Sequence, residues 1–130
     1  MKADERNAEQ VEFWNGPGGR HWIKLQEHWD IVLGPVAMAI FGRAAVRPGE
    51  RIIDIGCGCG GTTIELGQAA GRAGEVLGLD ISAPMLARAK ERRPAGLPIE
   101  FLQADATTHP LPAGHFDLLF SRVIGFLANL

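Results

Sequence analysis

Arg51-Ile52-Ile53-Asp54-Ile55-Gly56-Cys57-Gly58-Cys59-Gly60-Gly61 is the stretch on which the fold turns. Five residues with an apolar core predict a short strand, and four glycines within six positions predict a sharp turn into a helix. The helix follows from about Thr62, with Thr63, Leu66, Gly67 and Ala70 on one face. Beyond it the pattern repeats. Glu75 to Asp80 reads as a second strand. Ser82 suits an N-cap and Pro84 the first turn of a helix that points Met85, Leu86 and Ala89 inward. Ile99 to Ala104 reads as a third strand and Phe116 to Ser121 as a fourth. Asp80 follows Gly56 by 24 residues and Asp105 follows Asp80 by 25. That even pitch is what strand–helix–strand units produce, so a parallel sheet with right-handed crossovers is expected.

Upstream, residues 1–45 read as helical. Trp22, Leu25, Trp29, Val32 and Leu33 share one face of a 3.6-residue period. Gly34-Pro35 is expected to break that helix and start another carrying Val36, Ala39 and Ile40. A shorter helix is expected between Asp4 and Trp14, separated by a turn at Asn15-Gly16-Pro17-Gly18-Gly19.

Composition sets the outer bounds. The chain has 130 residues, 46% hydrophobic and 22% charged, which suits a single folded domain. A formal charge of −2 argues against a protein built to neutralise nucleic-acid backbones. No apolar run reaches the roughly 20 residues of a membrane span, and the first ten residues lack the core of a signal peptide, so a cytoplasmic setting is expected. Cys57 and Cys59 are too close for an unstrained disulfide, and no further ligands nearby complete a metal site. Glycine is the excess: 17 residues, against an ordinary share near 7%.

In open parallel sheets ligands bind at the carboxyl ends of the strands. The glycines let the backbone approach a ligand closely, and the helix behind them aims free N–H groups at it. Gly56-x-Gly58-x-x-Gly61 also satisfies the dinucleotide fingerprint, so the turn alone leaves several nucleosides open. Acidic residues narrow the field. Asp54 precedes the turn, where its charge opposes a phosphate and favours an ammonium or sulfonium. Asp80 is placed to accept both hydroxyls of a ribose, and Asp105 to accept from an exocyclic amine.

Ile53-Asp54-Ile55-Gly56-Cys57-Gly58-Cys59-Gly60 resembles the first motif of class I S-adenosylmethionine-dependent methyltransferases. Leu79-Asp80-Ile81-Ser82-Ala83-Pro84-Met85-Leu86 is similar to their second-strand motif. Ala104-Asp105-Ala106 and Phe116-Asp117-Leu118-Leu119-Phe120-Ser121-Arg122 resemble the third and fourth. The likeness is to bacterial small-molecule enzymes of the ubiquinone and menaquinone type, and Trp14-Asn15-Gly16 with Gly19-Arg20-His21-Trp22 resembles the helical lid of one subgroup. It implies S-adenosylmethionine as cofactor, a small-molecule methyl acceptor, and an N-terminal lid over 1–45 before a cofactor domain over 46–130. The expected sheet is a Rossmann-like α/β half with strand order 3-2-1-4. Under the resemblance, Gly56, Cys57, Gly58 and Gly60 pass under the methionine part, with Asp54 near its amino group. Asp80 holds the ribose, Ile81 packs on the adenine, Asp105 and Ala106 edge it, and Ser121 closes the floor near the sulfonium. Cys59 stands where the family often has Thr or Ser.

The resemblance names no catalytic base. Such sheets have seven strands, so a C-terminally shortened form with cofactor binding but little activity is expected. A non-catalytic binding fragment and a nicotinamide-binding half-domain are the alternatives. Strand four, with Leu118, Leu119 and Phe120, would lie at the sheet's edge, and an apolar tail, 123–130, follows it; a homodimer through both is expected. Arg88, Lys90, Arg92 and Arg93 are read as a solvated face complementing a helix dipole. Trp22 and His21 are candidates to cover the cofactor, with packing as the other role for Trp22, and His109 and His115 are expected to face water.

Overall fold

The computed structural model describes residues 1–122. A 3-10 turn at Glu5–Asn7 leads into α1 (Ala8–Asn15), α2 (Pro17–Lys24) and α3 (Gln26–Ala44). Then β1 (Arg51–Ile55), α4 (Gly61–Ala70), β2 (Glu75–Asp80), α5 (Ala83–Arg92), β3 (Ile99–Gln103) and β4 (Leu118–Phe120) follow. The four strands form one parallel sheet, as the repeating pitch predicts, in the order β3-β2-β1-β4 that the resemblance implies. Register pairs Ile55 with Leu79 and Asp80 with Gln103, so the carboxyl ends of β1, β2 and β3 open onto one rim.

Successive side chains of a strand point to opposite faces, and β1 shows both. Ile52 packs with Leu66, Ala70, Val76, Ile99 and Phe120 in the main core. Ile53 joins Leu79 and Ala104 on the other face, where Leu111 and Phe116 of the loop before β4 provide cover. Phe41 of α3 stacks on Phe120 at 5.0 Å, tying the end of α3 to β4.

The N-terminal helices depart from the sequence expectation. The tryptophan stripe is divided by a break at Leu25, so Trp22 belongs to α2 and Trp29 to α3. Leu25 leaves the helical region at φ −105° and ψ 16°, which ends α2 before the stripe is complete. Pro35 starts no new helix; it lies inside a continuous 19-residue α3. Proline removes one backbone donor and disturbs one turn, and the packing of α3 against the sheet through Ile40, Phe41 and Ala44 offsets that loss. The expected turn at residues 15–19 contracts to Gly16, because Pro17 opens α2 at once and Gly18 and Gly19 pack where side chains would collide with Phe13 and the Trp14 carbonyl. The third and fourth strands are also shorter than expected, ending at Gln103 and starting at Leu118.

Candidate functional site

A cavity of about 290 Å³ lies on the rim between the carboxyl ends of the strands and the N-terminal helices. The sheet contributes Gly56, Cys57, Gly58, Asp80, Ile81, Asp105 and Ala106, all expected from the sequence. The helices contribute Trp14, Trp22, Trp29 and Leu33, so all three tryptophans of the chain stand on one wall. Trp22 stacks on Trp29 at 4.8 Å and meets Trp14 edge-on at 5.7 Å. Trp22 thus both packs and lines the cavity, whereas His21 is exposed and stands outside it.

The glycine turn is built as a cradle. Gly56, Gly58 and Gly60 have φ of 71°, 55° and 85°, the left-handed region that residues with a Cβ rarely adopt. Their uses differ. Gly58 lies on the cavity wall and its N–H donates to Asp80 Oδ2 at 2.8 Å. Gly60 faces the other way, where a Cβ would stand 2.9 Å from that of Ala89 and 3.1 Å from the Phe101 ring. Its role is to let α5 and β3 close on the turn, and it is not on the wall.

The three aspartates have three environments. Asp80 accepts from the N–H groups of Gly58 (2.8 Å) and Ser82 (2.9 Å) and keeps acceptor capacity toward the cavity. Burial pushes its carboxyl up, against the opposing effect of the Ser82, Gly58 and Ile81 N–H groups. Asp105 is on the wall too, but its oxygens are engaged. Oδ2 accepts from Asp4 N–H (2.9 Å) and the Asn7 amide (3.1 Å), and Oδ1 from Thr107 N–H (2.9 Å) and hydroxyl (2.7 Å). A carboxylate has about four lone-pair sites, so the expected hydrogen bond to an exocyclic amine has no site left. Burial alone would raise this carboxyl; the Thr107 hydroxyl, Asp4, Asn7 and Thr107 N–H outweigh it and hold it below the usual range.

Asp54 lies under the turn, 1% exposed and off the wall. Its Oδ2 accepts both the Thr62 and Thr63 hydroxyls at 2.7 Å, while Oδ1 has no hydrogen-bond partner among the described residues. Burial pushes its carboxyl up to about 6, against the lowering effect of the two hydroxyls and of Arg122. Ser121 is likewise off the wall and donates to the Ile55 carbonyl at 2.9 Å. Its neighbour Arg122 reaches the cavity instead. Cys57 and Cys59 are buried and unpaired, with thiols pushed up by burial, Cys59 to about 11, so neither is a ready nucleophile.

Three further wall residues escaped the sequence reading. Asn7 and Gln10 come from the start of the chain, and Asp30 from α3. Asp30 Oδ1 stands 3.1 Å from where a Cβ on Gly61 would be, so a carboxylate lies against the first residue of α4. No local motif announces it, because only the docking of α3 brings it there. His115, expected to face water, is partly exposed and also hydrogen-bonds the Glu75 carboxylate at 2.9 Å.

Comparison with known proteins gives the site its family. The model of the methyltransferase domain family matches residues 52–129, more than half of the chain. A demethylmenaquinone methyltransferase of Lactococcus lactis is 42% identical over 73 residues, 55% of this chain and 29% of that protein. The ubiquinone/menaquinone biosynthesis C-methyltransferase of Azotobacter vinelandii is 38% identical over 79 residues, 58% of this chain and 31% of its own. The matches thus span about three tenths of these curated relatives. Among solved structures, an S-adenosylmethionine-dependent methyltransferase of Mesorhizobium loti superposes with a TM-score of 0.57 at 36% identity, over 64% of this chain and 36% of that one. The magnesium protoporphyrin IX methyltransferase of Synechocystis shares the fold at 20% identity, with a TM-score of 0.68 over 90% of this chain and 58% of its own. The glycine cradle, the acidic strand ends and the 3-2-1-4 sheet are therefore those of a relative by descent: the chain belongs to the methyltransferase domain family, of the class I S-adenosylmethionine-dependent type.

Proposed function

We propose that this chain binds S-adenosylmethionine in the rim cavity and serves methyl transfer to a small-molecule acceptor. The observation that carries the reading is Asp80, a carboxylate at the end of β2 with spare acceptor capacity toward the cavity, beside a turn that leaves room for a ligand. Asp80 is assigned to the ribose hydroxyls, with Ile81 and Ala106 against the adenine. Gly56, Cys57 and Gly58 run beneath the methionine part. Asp54 acts from under the turn, where its charge favours a cationic ligand without touching it. Asp105 is assigned to tying down the N-terminal strap instead of reading the base. Bound S-adenosylmethionine supplies an activated methyl group on a sulfonium, a good leaving group, so the chain's task is chiefly to position and to exclude water.

Asp30 adds a reason to prefer this cofactor over a dinucleotide. A pyrophosphate would seek the N-terminus of α4, and there it would meet the Asp30 carboxylate next to Gly61 as well as the buried Asp54. The acceptor side is assigned to the tryptophan wall, with helices α1–α3 acting as a lid. A cytoplasmic setting suits the two unpaired thiols. No helix among the described residues is long and apolar enough to cross a membrane.

Calorimetry with S-adenosylhomocysteine and, separately, NAD tests the cofactor. S-adenosylhomocysteine is expected to bind, and Asp80→Ala to weaken it by about 1.5–3 kcal/mol, the scale of hydrogen bonds to a charged acceptor. Tight NAD binding with no S-adenosylhomocysteine heat overturns the reading. Self-association is proposed through β4, whose outer edge is unpaired among the described strands and carries Leu119 at 62% exposure. The tail over 123–130, the other half of that expectation, lies outside the described residues.

A further inference from the structure

Lys90 and Arg93, in the basic run at the end of α5, are exposed as the sequence suggests, but Arg92 departs from that solvated face. Arg92 turns inward. One arm, Nη1, donates to the Cys59 carbonyl of the glycine turn at 2.8 Å, and the other, Nη2, donates to Asp30 Oδ2 of α3 at 2.8 Å. Its side chain is 20% exposed, and that of Asp30 33%. The Gln26 amide, one turn earlier on α3 and buried, donates to the same Asp30 oxygen. The Gln26 carbonyl oxygen in turn accepts from Arg88 Nε and Nη2 at 3.3 and 3.2 Å. Two arginines of α5 thus grip α3 through the pair Gln26 and Asp30, and one of them also grips the turn.

We propose that Arg92 is a positioning residue that clamps the tryptophan wall to the glycine turn, so that ordering either side of the cavity orders the other. Three observations converge on it. Asp30 is itself on the cavity wall, immediately after Trp29 in sequence and one turn before Leu33. The bonded Cys59 carbonyl belongs to the peptide that leads into Gly60, whose left-handed backbone sets the direction of α4. A guanidinium is planar, with its donors in a fixed fork, so holding both partners at 2.8 Å fixes the distance between α3 and the turn. A lysine keeps the charge but offers a single nitrogen and cannot reproduce the span. The fold does not demand this arrangement, since a shorter or outward-facing side chain would leave α5 intact: its buried face is Met85, Leu86 and Ala89. The clamp is thus spent on the relation between two walls of one cavity, and the purpose given to it rests on the cofactor reading above.

The test uses Arg92→Met, Arg92→Lys and Asp30→Asn, with two independent readouts. Hydrogen exchange on the ligand-free protein reads the clamp itself. Arg92→Met is expected to raise exchange about tenfold in both 26–33 and 56–63, a typical size for coupling between sites, while 75–80 in the sheet stays protected. Tryptophan emission reads the coupling, because every tryptophan in the chain is on the wall. Titration with S-adenosylhomocysteine is expected to shift wild-type emission and to shift that of Arg92→Met and Arg92→Lys much less, with affinity about tenfold weaker. Asp30→Asn in the Arg92→Met background is expected to add less than twofold, since both break one link. Exchange that rises in only one segment, or throughout the sheet, overturns the clamp, as does full rescue by lysine. Should Arg92→Met fail to fold, Asp30→Asn breaks the same link from the more exposed side and is held to the same criteria. Wild-type protein that fails to bind S-adenosylhomocysteine overturns the cofactor reading and the clamp's purpose with it, whereas a normal emission response in Arg92→Met overturns the clamp alone.

Discussion

Asp54 offers the sharpest test of how this site is built, because its folding energetics and its proposed use run against each other. It is fully buried, its Oδ1 has no hydrogen-bond partner among the described residues, and its carboxyl is pushed up to about 6 from 3.8. The folded state therefore holds its proton to higher pH than the unfolded chain does. Between about pH 4 and pH 6 the folded form binds more protons, so this group's contribution to stability falls as pH rises and stays lost above the folded value. The rise from 3.8 to about 6 corresponds to about 3 kcal/mol. Asp54→Asn keeps an oxygen for the Thr62 and Thr63 hydroxyls and cannot ionise. Urea denaturation of both forms from pH 4 to pH 8 gives the difference between them. The variant is expected to match the wild type near pH 4 and to exceed it by up to about 3 kcal/mol at pH 8. Taking the difference removes other groups, including Asp105, whose lowered carboxyl gives the opposite slope. The same substitution is expected to weaken S-adenosylhomocysteine binding, the trade expected where a site keeps a costly charge for its ligand. A stability difference that is flat with pH refutes the reasoning, and a variant that is both more stable and equally tight removes Asp54 from the site.

Gly60→Ala is expected to cost about 1–2 kcal/mol from its left-handed backbone alone, and more from the 2.9 Å approach to Ala89, measured as a lowered urea midpoint. Asp105→Asn puts an amide against four donors and is expected to cost about 1.5–3 kcal/mol, with faster hydrogen exchange over residues 2–8 while β2 stays protected. Light scattering at micromolar concentration is expected to show a dimer that Leu119→Lys dissociates; a monomer of 14.0 kDa refutes association through β4.

Much of the cofactor side is legible along the chain because its signals are local. A strand, a glycine turn and a helix N-terminus succeed one another within some twenty residues, and Asp80 and Ile81 directly follow the second strand. The N-terminal half is less legible. Periodicity sees the apolar positions of Trp22, Trp29 and Leu33 but not the break at Leu25, where the backbone leaves the helical region. Nor does it see that Pro35 is carried through α3, because contacts with the sheet, far away in sequence, offset what proline costs locally.

The sequence by itself determined the parallel strand–helix–strand pattern, the position of the cradle and the placing of Asp80 and Asp105 at strand ends, since strand pitch and turn chemistry are short-range properties. Only the tertiary structure decided what each carboxylate does there. Asp105 is claimed by Asp4 and Asn7 from about a hundred residues away, Asp54 is sealed beneath the turn, and Asp30 arrives from a helix that no motif links to the site. A side chain's hydrogen-bond partners and desolvation are set by whatever packs against it in space, and in this chain most of what covers the cavity comes from the other end of the sequence.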